Sequence, residues 1–350
     1  MSGPTLSDRE RQVLAAVIRS YVETAEPAGS RAVSKKFGLG VSPATIRNTM
    51  SDLEEKGYLF HPHTSAGRIP TELGYRVYVD ELMKVTPLDM IERKRLQKEI
   101  GQGTATLESI LRRAAQSLGV LAQELGVALG PRLDDTILAR LELVRLSAER
   151  LMLVLSLRGG AVRTIFLEVR GEIGDDALAE VQAVLNERLG GLTLAEIRRS
   201  LGARLRDTPT TATGGGLLNI FLQEGEQFFD VPSPSEEEAV VLGQASVLAE
   251  QPEFASSGER MRRLIELTET RTQLAHVLRA RSGGAAGVQI SIGSEHGDRL
   301  PGGLTLVTAS YQVGALTGVI GVIGPTRMPY EKVIALVSHT SSLVTDLLDG

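Results

Sequence analysis

At 350 residues, with 42% hydrophobic and 23% charged side chains, the chain is long enough for two or three domains with buried cores. It has no cysteine, which excludes a disulfide framework and a thiolate metal site. The formal net charge of -5 excludes a chain that is basic throughout, so any affinity for nucleic acid has to reside in a local patch.

The N-terminal run MSGPTLSDRERQ is polar and lacks the apolar core of a secretory leader. The longest apolar runs, such as Leu151 to Leu157, fall far short of the roughly 18 residues that cross a bilayer. The expectation is a cytoplasmic protein with no membrane partner.

Ser7 to Glu10, SDRE, reads as a capping box opening a first helix whose stripe is Leu14, Val17, Ile18 and Tyr21. A second, short helix is expected to start with Ser30 as its cap. Val33 and Phe37 turn inward along it, and Gly38 ends it. The glycine-containing turn GLGV leads to Ser42 and Pro43, an N-cap followed by proline at the first helical position.

From Pro43, Ile46, Met50 and Leu53 repeat at the spacing of one apolar stripe. The opposite face collects Ala44, Arg47, Asn48 and Ser51, with Thr45 and Ser42 beside them. Arg can fork onto guanine and Asn onto adenine, and small hydroxyls or a methyl fit closely against base edges. This is the pattern of a recognition helix in a helix-turn-helix. Arg31, Lys35 and Lys36 on the preceding helix are placed for phosphate.

Gly57 stops the helix, YLFH reads as a strand, and RIP reads as its return: a wing whose Arg68, His61 and His63 reach backbone or minor groove. Between Pro27 and Pro70 six Lys/Arg face three Asp/Glu, an excess of only +3, so useful affinity requires two copies on one site.

Three runs in this region, SPATIRN (42–48), HPHTSAGRIPT (61–71) and GYRVYVD (74–80), resemble the DNA-binding region of HrcA, the bacterial heat-inducible transcription repressor family. QPEF (251–254) and GVIGPTRMPY (321–330) are similar to later runs of the same family, so the resemblance spans the chain. Departures from its pattern fall at Ala25, Ala28, Pro43 and Ser294.

Further along, Gly74 to Met83 reads as a helix, Lys84 to Asp89 as a linker and Glu92 to Ile100 as a charged helix. Leu107 to Leu125 forms one longer apolar-striped helix. Between Ile137 and Val169 the texture becomes that of strands, and it returns only at Val288 to Gly324, before a last helix from Tyr330 to Leu348. The interval between is mainly helical, with TPTTATGGG (208–216) as a loop. A sheet whose halves flank that interval implies an insertion.

No catalytic constellation stands out: His276, His296 and His339 are far apart, and neither HExxH nor GxSxG occurs. The paired carboxylates Asp134/Asp135 and Asp175/Asp176 read as capping groups. The chain therefore reads as a non-enzyme without cofactor or metal.

The combined expectation is an α+β protein. A winged helix-turn-helix occupies 1–84. By resemblance, a GAF-like α/β domain follows in two segments, 88–170 and 283–350, interrupted by a mainly helical dimerising domain at 171–282. The residues imply a homodimer on the two arms of an inverted-repeat operator in double-stranded DNA. The resemblance adds the CIRCE element of chaperone operons, heat-linked release, and the GroE chaperonin as partner. A metabolite-responsive winged-helix regulator with its ligand in the GAF-like domain is the alternative, and a protein-binding scaffold is a third reading.

Overall fold

The structure is a computed structural model. It describes residues 5–62, 67–101, 106–131, 136–158, 162–169, 173–206, 212–229, 239–282, 287–314 and 316–349. The chain is a mixture of helix and sheet and separates into two compact units. The first contains 1–130, 236–311 and 319–347, and the second is built mainly from 131–235.

The first unit opens with three helices, α1 (Asp8–Thr24), α2 (Ser30–Phe37) and α3 (Pro43–Glu55). The expected capping box is present, with the Ser7 and Glu10 side chains each accepting from the other residue's backbone N–H. Helix α2 differs from expectation: Gly29 occupies the cap position, and Ser30 is already helical. The cause is upstream, where Ala28 exchanges two backbone hydrogen bonds with Arg68 and delivers the chain extended at Gly29. Gly67 must be glycine for this approach, since a Cβ there would lie 2.4 Å from the Ala28 carbonyl.

Leu14, Val17, Ile18, Val33, Ile46, Met50, Leu53 and Leu59 close the core between these helices, and each is 3% exposed or less. Burying each aliphatic side chain contributes about 1.5–3 kcal/mol.

Strands β1 (Leu59–Phe60) and β2 (Ile69–Pro70) pair antiparallel as a hairpin after α3. Helix α4 (Glu72–Val77) then widens into a single π-helical turn, Tyr78–Leu82. The stretch 84–89 is irregular as expected, and α5 (Met90–Gly101) and α6 (Leu107–Ala122) follow. The α6 helix is shorter than its leucine spacing predicts. Gln123 turns left-handed, and Leu125 begins strand β3 (Leu125–Leu129) instead. Gly126 lets that strand lie on the helix, because a Cβ there would meet the Ala115 carbonyl at 1.9 Å.

The second unit comprises strands β4 (Leu138–Ser147), β5 (Arg150–Leu157) and β6 (Val162–Glu168) with helices α7 (Asp175–Leu189), α8 (Leu194–Leu205) and α9 (Ala212–Phe228). The strands form an antiparallel sheet of their own, in the order β4-β5-β6. Leu141, Leu151, Leu153, Leu155 and Leu167 line one face and pack with Val181, Leu185, Ile197, Leu201 and Phe221 of the helices. The edge strand β4 is engaged by α7: the Asn186 amide exchanges two hydrogen bonds with the Leu141 backbone (2.8 and 2.7 Å), and Gln182 accepts from Leu143 N.

On the other face the rows Val144–Met152–Phe166, Val154–Thr164 and Ser156–Val162 lie side by side. Phe166 is 68% and Val162 65% exposed. The expectation of a loop over 208–216 is corrected in part: 208–211 lie outside the described residues, and Gly214 to Gly216 belong to α9. Asp175 and Asp176 open α7 in its first turn, and Asp134 and Asp135 lie outside the described residues.

Returning to the first unit, the chain forms β7 (Val240–Leu242) and four helices, α10 (Ser246–Ala249), α11 (Pro252–Ala255), α12 (Gly258–Glu269) and α13 (Arg271–Ser282). Strands β8 (Val288–Ile292), β9 (Leu304–Val313) and β10 (Leu316–Pro325) and the last helix α14 (Tyr330–Asp349) complete it. A five-stranded sheet results, in the order β7-β3-β10-β9-β8. One face packs Leu125, Val127, Leu306 and Ile323 against Leu248, Phe254, Leu264 and Leu274 from α10–α13.

The single sheet expected from the strands at 137–169 and 288–324 is therefore two separate sheets. The strands that join the later group are β3 and β7, not β4–β6. The helices α10–α13, read as part of the inserted interval, belong to the first unit's core, so the break in the chain falls at 131–235.

Candidate nucleic-acid interface

Helix α3 begins as its sequence dictates. The Ser42 side chain accepts from Thr45 N at 3.1 Å, with Pro43 at the first helical position. Ile46, Thr49, Met50 and Leu53 are buried, which orients everything else on the helix. Ala44, Arg47 and Asn48 are exposed together on the opposite side, while Thr45 and Ser51 are half-buried at its margins. The Thr45 hydroxyl is engaged with Ser42 Oγ at 2.9 Å, and the Ser51 hydroxyl donates to the Arg47 carbonyl at 3.2 Å. The face thus offers one guanidinium, one carboxamide and small groups, with its hydroxyls already oriented by the helix.

Arg31, Lys35 and Lys36 are all exposed on α2. Lys36 forms an ion pair with Glu23 of α1. Arg31, Lys35 and Arg47 form no ion pair among the described residues. Arg68 is placed differently. It is folded onto the end of α3, where it pairs with Glu54 at 2.8 Å and contacts the His61 ring, and its side chain is only 15% exposed. His63 lies outside the described residues.

The other side of this three-helix module is tied to the rest of the first unit. Arg327, 11% exposed, donates to both carboxylate oxygens of Glu253 (2.6 and 3.1 Å), to Gln251 Oε1 (2.9 Å) and to the Val22 carbonyl near the end of α1 (2.8 Å). Arg76 grips Glu295 and donates to the Ile290 carbonyl at 3.0 Å. Although burial raises the Glu295 carboxyl, the hydrogen bonds from Arg76 and the Ile292 N–H outweigh it and leave its pKa below the usual range.

Glu72 accepts from Ser294 N and Oγ at 2.9 and 2.6 Å. Tyr78 bridges Arg19 and Glu331, and its phenol is pushed up to about 12 by burial and that carboxylate. Tyr75 and Tyr330, both buried, face each other with ring centroids 5.8 Å apart.

The chain is 41% identical over 359 aligned residues to a protein of Chlorobium phaeovibrioides and 40% identical over 346 to one of Geobacter sulfurreducens. Each alignment covers 99% of both chains, and each relative is described as a heat-inducible transcription repressor HrcA. The chain belongs to the HrcA family. The family model described as the HrcA protein C terminal domain matches residues 108–334. A solved structure titled "Crystal structure of a hypothetical protein at 2.2 A resolution" shares the fold with a TM-score of 0.58, at 21% identity and 99% coverage of both chains.

In this HrcA chain the family-like runs divide by location. SPATIRN supplies the exposed face of α3, whereas GYRVYVD, QPEF and PTRMPY converge at the junction with Arg327 and Arg76. Sequence reading assigned no role to Arg76, Glu253, Glu295 or Arg327. Single charges inside apolar or turn sequence were the available signal, since such charges are seldom buried without a partner. Among the described residues no group of three or more His, Asp or Glu is arranged to hold a metal, and no helix is long and apolar enough to cross a membrane.

Proposed function

We propose that this HrcA chain is a transcription repressor whose first three helices and hairpin act as a winged helix-turn-helix on double-stranded DNA. The exposed side of α3 carries the reading: Ala44, Arg47 and Asn48 stand uncovered while Ile46, Met50 and Leu53 of that helix face inward. Arg47 and Asn48 read base edges, with Thr45, Ser51, Ser42 and Ala44 fitting closely beside them, and Arg31, Lys35 and Lys36 hold phosphates. Near His63, the wing follows the backbone.

A homodimer on an inverted repeat supplies the affinity that an excess of a few positive charges cannot. The apolar row Val144, Met152 and Phe166 on the second unit's sheet, with exposed Val162 near it and the ion pairs Arg140–Glu142 and Arg150–Glu168 on the same face, supports self-association there. The five-stranded body with helices packed on it plays the GAF-like part. In keeping with the family, the operator is the CIRCE element of chaperone operons, repression is lifted on heating, and the GroE chaperonin sustains the active form in the cytoplasm.

The test is a gel-shift titration of the purified chain against an inverted-repeat duplex and a scrambled duplex, over a range of salt, with and without chaperonin. A log-linear loss of affinity with salt and a preference for the repeat are expected. Equal binding of both duplexes refutes a sequence-reading role for α3.

A further inference from the structure

The Arg68 guanidinium turns back into the protein. Its partner, Glu54, is an acid on the last turn of the very helix that carries Arg47 and Asn48. The Glu54 carboxylate uses both oxygens: Oε2 lies 2.8 Å from Arg68 Nη2, and Oε1 lies 3.5 Å from His61 Nδ1. The third side of the triangle is closed by the contact of Arg68 Nη1 with His61 Nε2. A guanidinium can only donate, so at this contact the Arg68 N–H is directed at the His61 ring nitrogen. His61 follows β1, Arg68 precedes β2, and the Arg68 backbone is pinned to Ala28 by hydrogen bonds of 2.9 and 3.0 Å. One carboxylate therefore ties both strands of the hairpin to the recognition helix.

We propose that Glu54 is a positioning residue for DNA binding, and that Arg68 acts as its strut and not as a phosphate contact. This rests on the DNA-binding reading. Helix and wing must approach adjacent parts of the duplex at a fixed angle, and the Glu54–Arg68–His61 triangle fixes it. The consequence has an unusual sign. An acid beside a polyanion ordinarily opposes binding, so its removal should tighten the complex. Removing Glu54 instead loosens it, because the wing loses its registration.

The experiment uses the full chain and Glu54→Gln, Arg68→Ala, the double variant, and Lys35→Ala as a phosphate-contact control. Operator affinity is measured against salt, and amide hydrogen exchange is measured at Phe60, Arg68 and Ile69 without DNA. Glu54→Gln and Arg68→Ala should each weaken operator binding about tenfold, with the salt slope of the parent chain, and the double variant should be no weaker than either. Lys35→Ala should lower the slope by about 1. In both strut variants the hairpin amides should exchange about tenfold faster.

Tighter binding by Glu54→Gln, or a slope reduced by about 1 in Arg68→Ala, overturns the proposal and makes Arg68 a phosphate contact. If the parent chain itself fails to bind duplex, the DNA reading falls on that result alone. The exchange measurement then decides the strut: unaltered protection in Glu54→Gln refutes it.

Discussion

The two sides of the N-terminal module treat charge in opposite ways. Outward, on α2 and α3, Arg31, Lys35 and Arg47 stand in solvent with no ion pair among the described residues. Inward, Arg327 and Arg76 are each consumed by a carboxylate and a backbone carbonyl. A cation whose donors are spent inside the protein holds the fold, and one left unpaired is available to a polyanion. Composition records only that both kinds are basic.

That contrast predicts where each substitution is felt. The largest effect belongs to Arg327→Ala, which leaves Glu253 without its partner in a largely buried setting and should cost the first unit about 3 kcal/mol in a denaturant titration. Arg327→Lys should restore little, because one ammonium cannot reproduce the fork. On the outward side, Arg47→Ala or Asn48→Ala should weaken operator binding by about 1–3 kcal/mol per half-site while the thermal unfolding midpoint stays put. A shifted midpoint with unchanged DNA affinity would reverse the assignment of the two sides.

Next comes an acid effect on α1. The hydrogen bond from Lys56, followed by that from the Ser7 backbone, holds the Glu10 carboxyl at about 2, below its ordinary 4.5. The folded form thus binds this proton less readily than the unfolded chain. The stabilisation is complete above about pH 4.5 and is lost as pH falls from there towards 2. Acid unfolding monitored by circular dichroism should show this loss, on the order of 1 kcal/mol, and Lys56→Met should shrink it. The smallest effect is expected from Tyr75→Phe. Among the described residues the buried Tyr75 hydroxyl has no hydrogen-bond partner, so removing it should change stability by no more than about 0.5 kcal/mol in either direction, as a thermal melt would show.

Helix α3 was legible because its signals are local: a serine and a proline fix the start, and the apolar spacing fixes the orientation. The hairpin after Gly57 was readable for the same reason. Strands β3 and β7 were not, because β3 is buried along its whole length and β7 is three residues long, so neither alternates. Which strands share a sheet was also hidden. The leucines of β4–β6 look the same whether they cover α7–α9 or the body of the first unit, and only packing distinguishes them. At the candidate interface, residue types gave the exposed face of α3. The inward turn of Arg68 depends on Glu54, an acid that sequence reading counted only as charge.

The second unit leaves and rejoins the first between neighbouring strands. Leu129 of β3 pairs with Val240 of β7, and Gly130 N donates to the Ala239 carbonyl at 3.0 Å. In connectivity, everything from Pro131 to Glu238 is the loop of a β-hairpin. A two-residue turn such as Asn-Gly could therefore replace it without stretching either strand. Such a shortened chain should keep the five-stranded sheet and its three-helix module, so that one deletion would separate the proposed self-association from the proposed DNA reading.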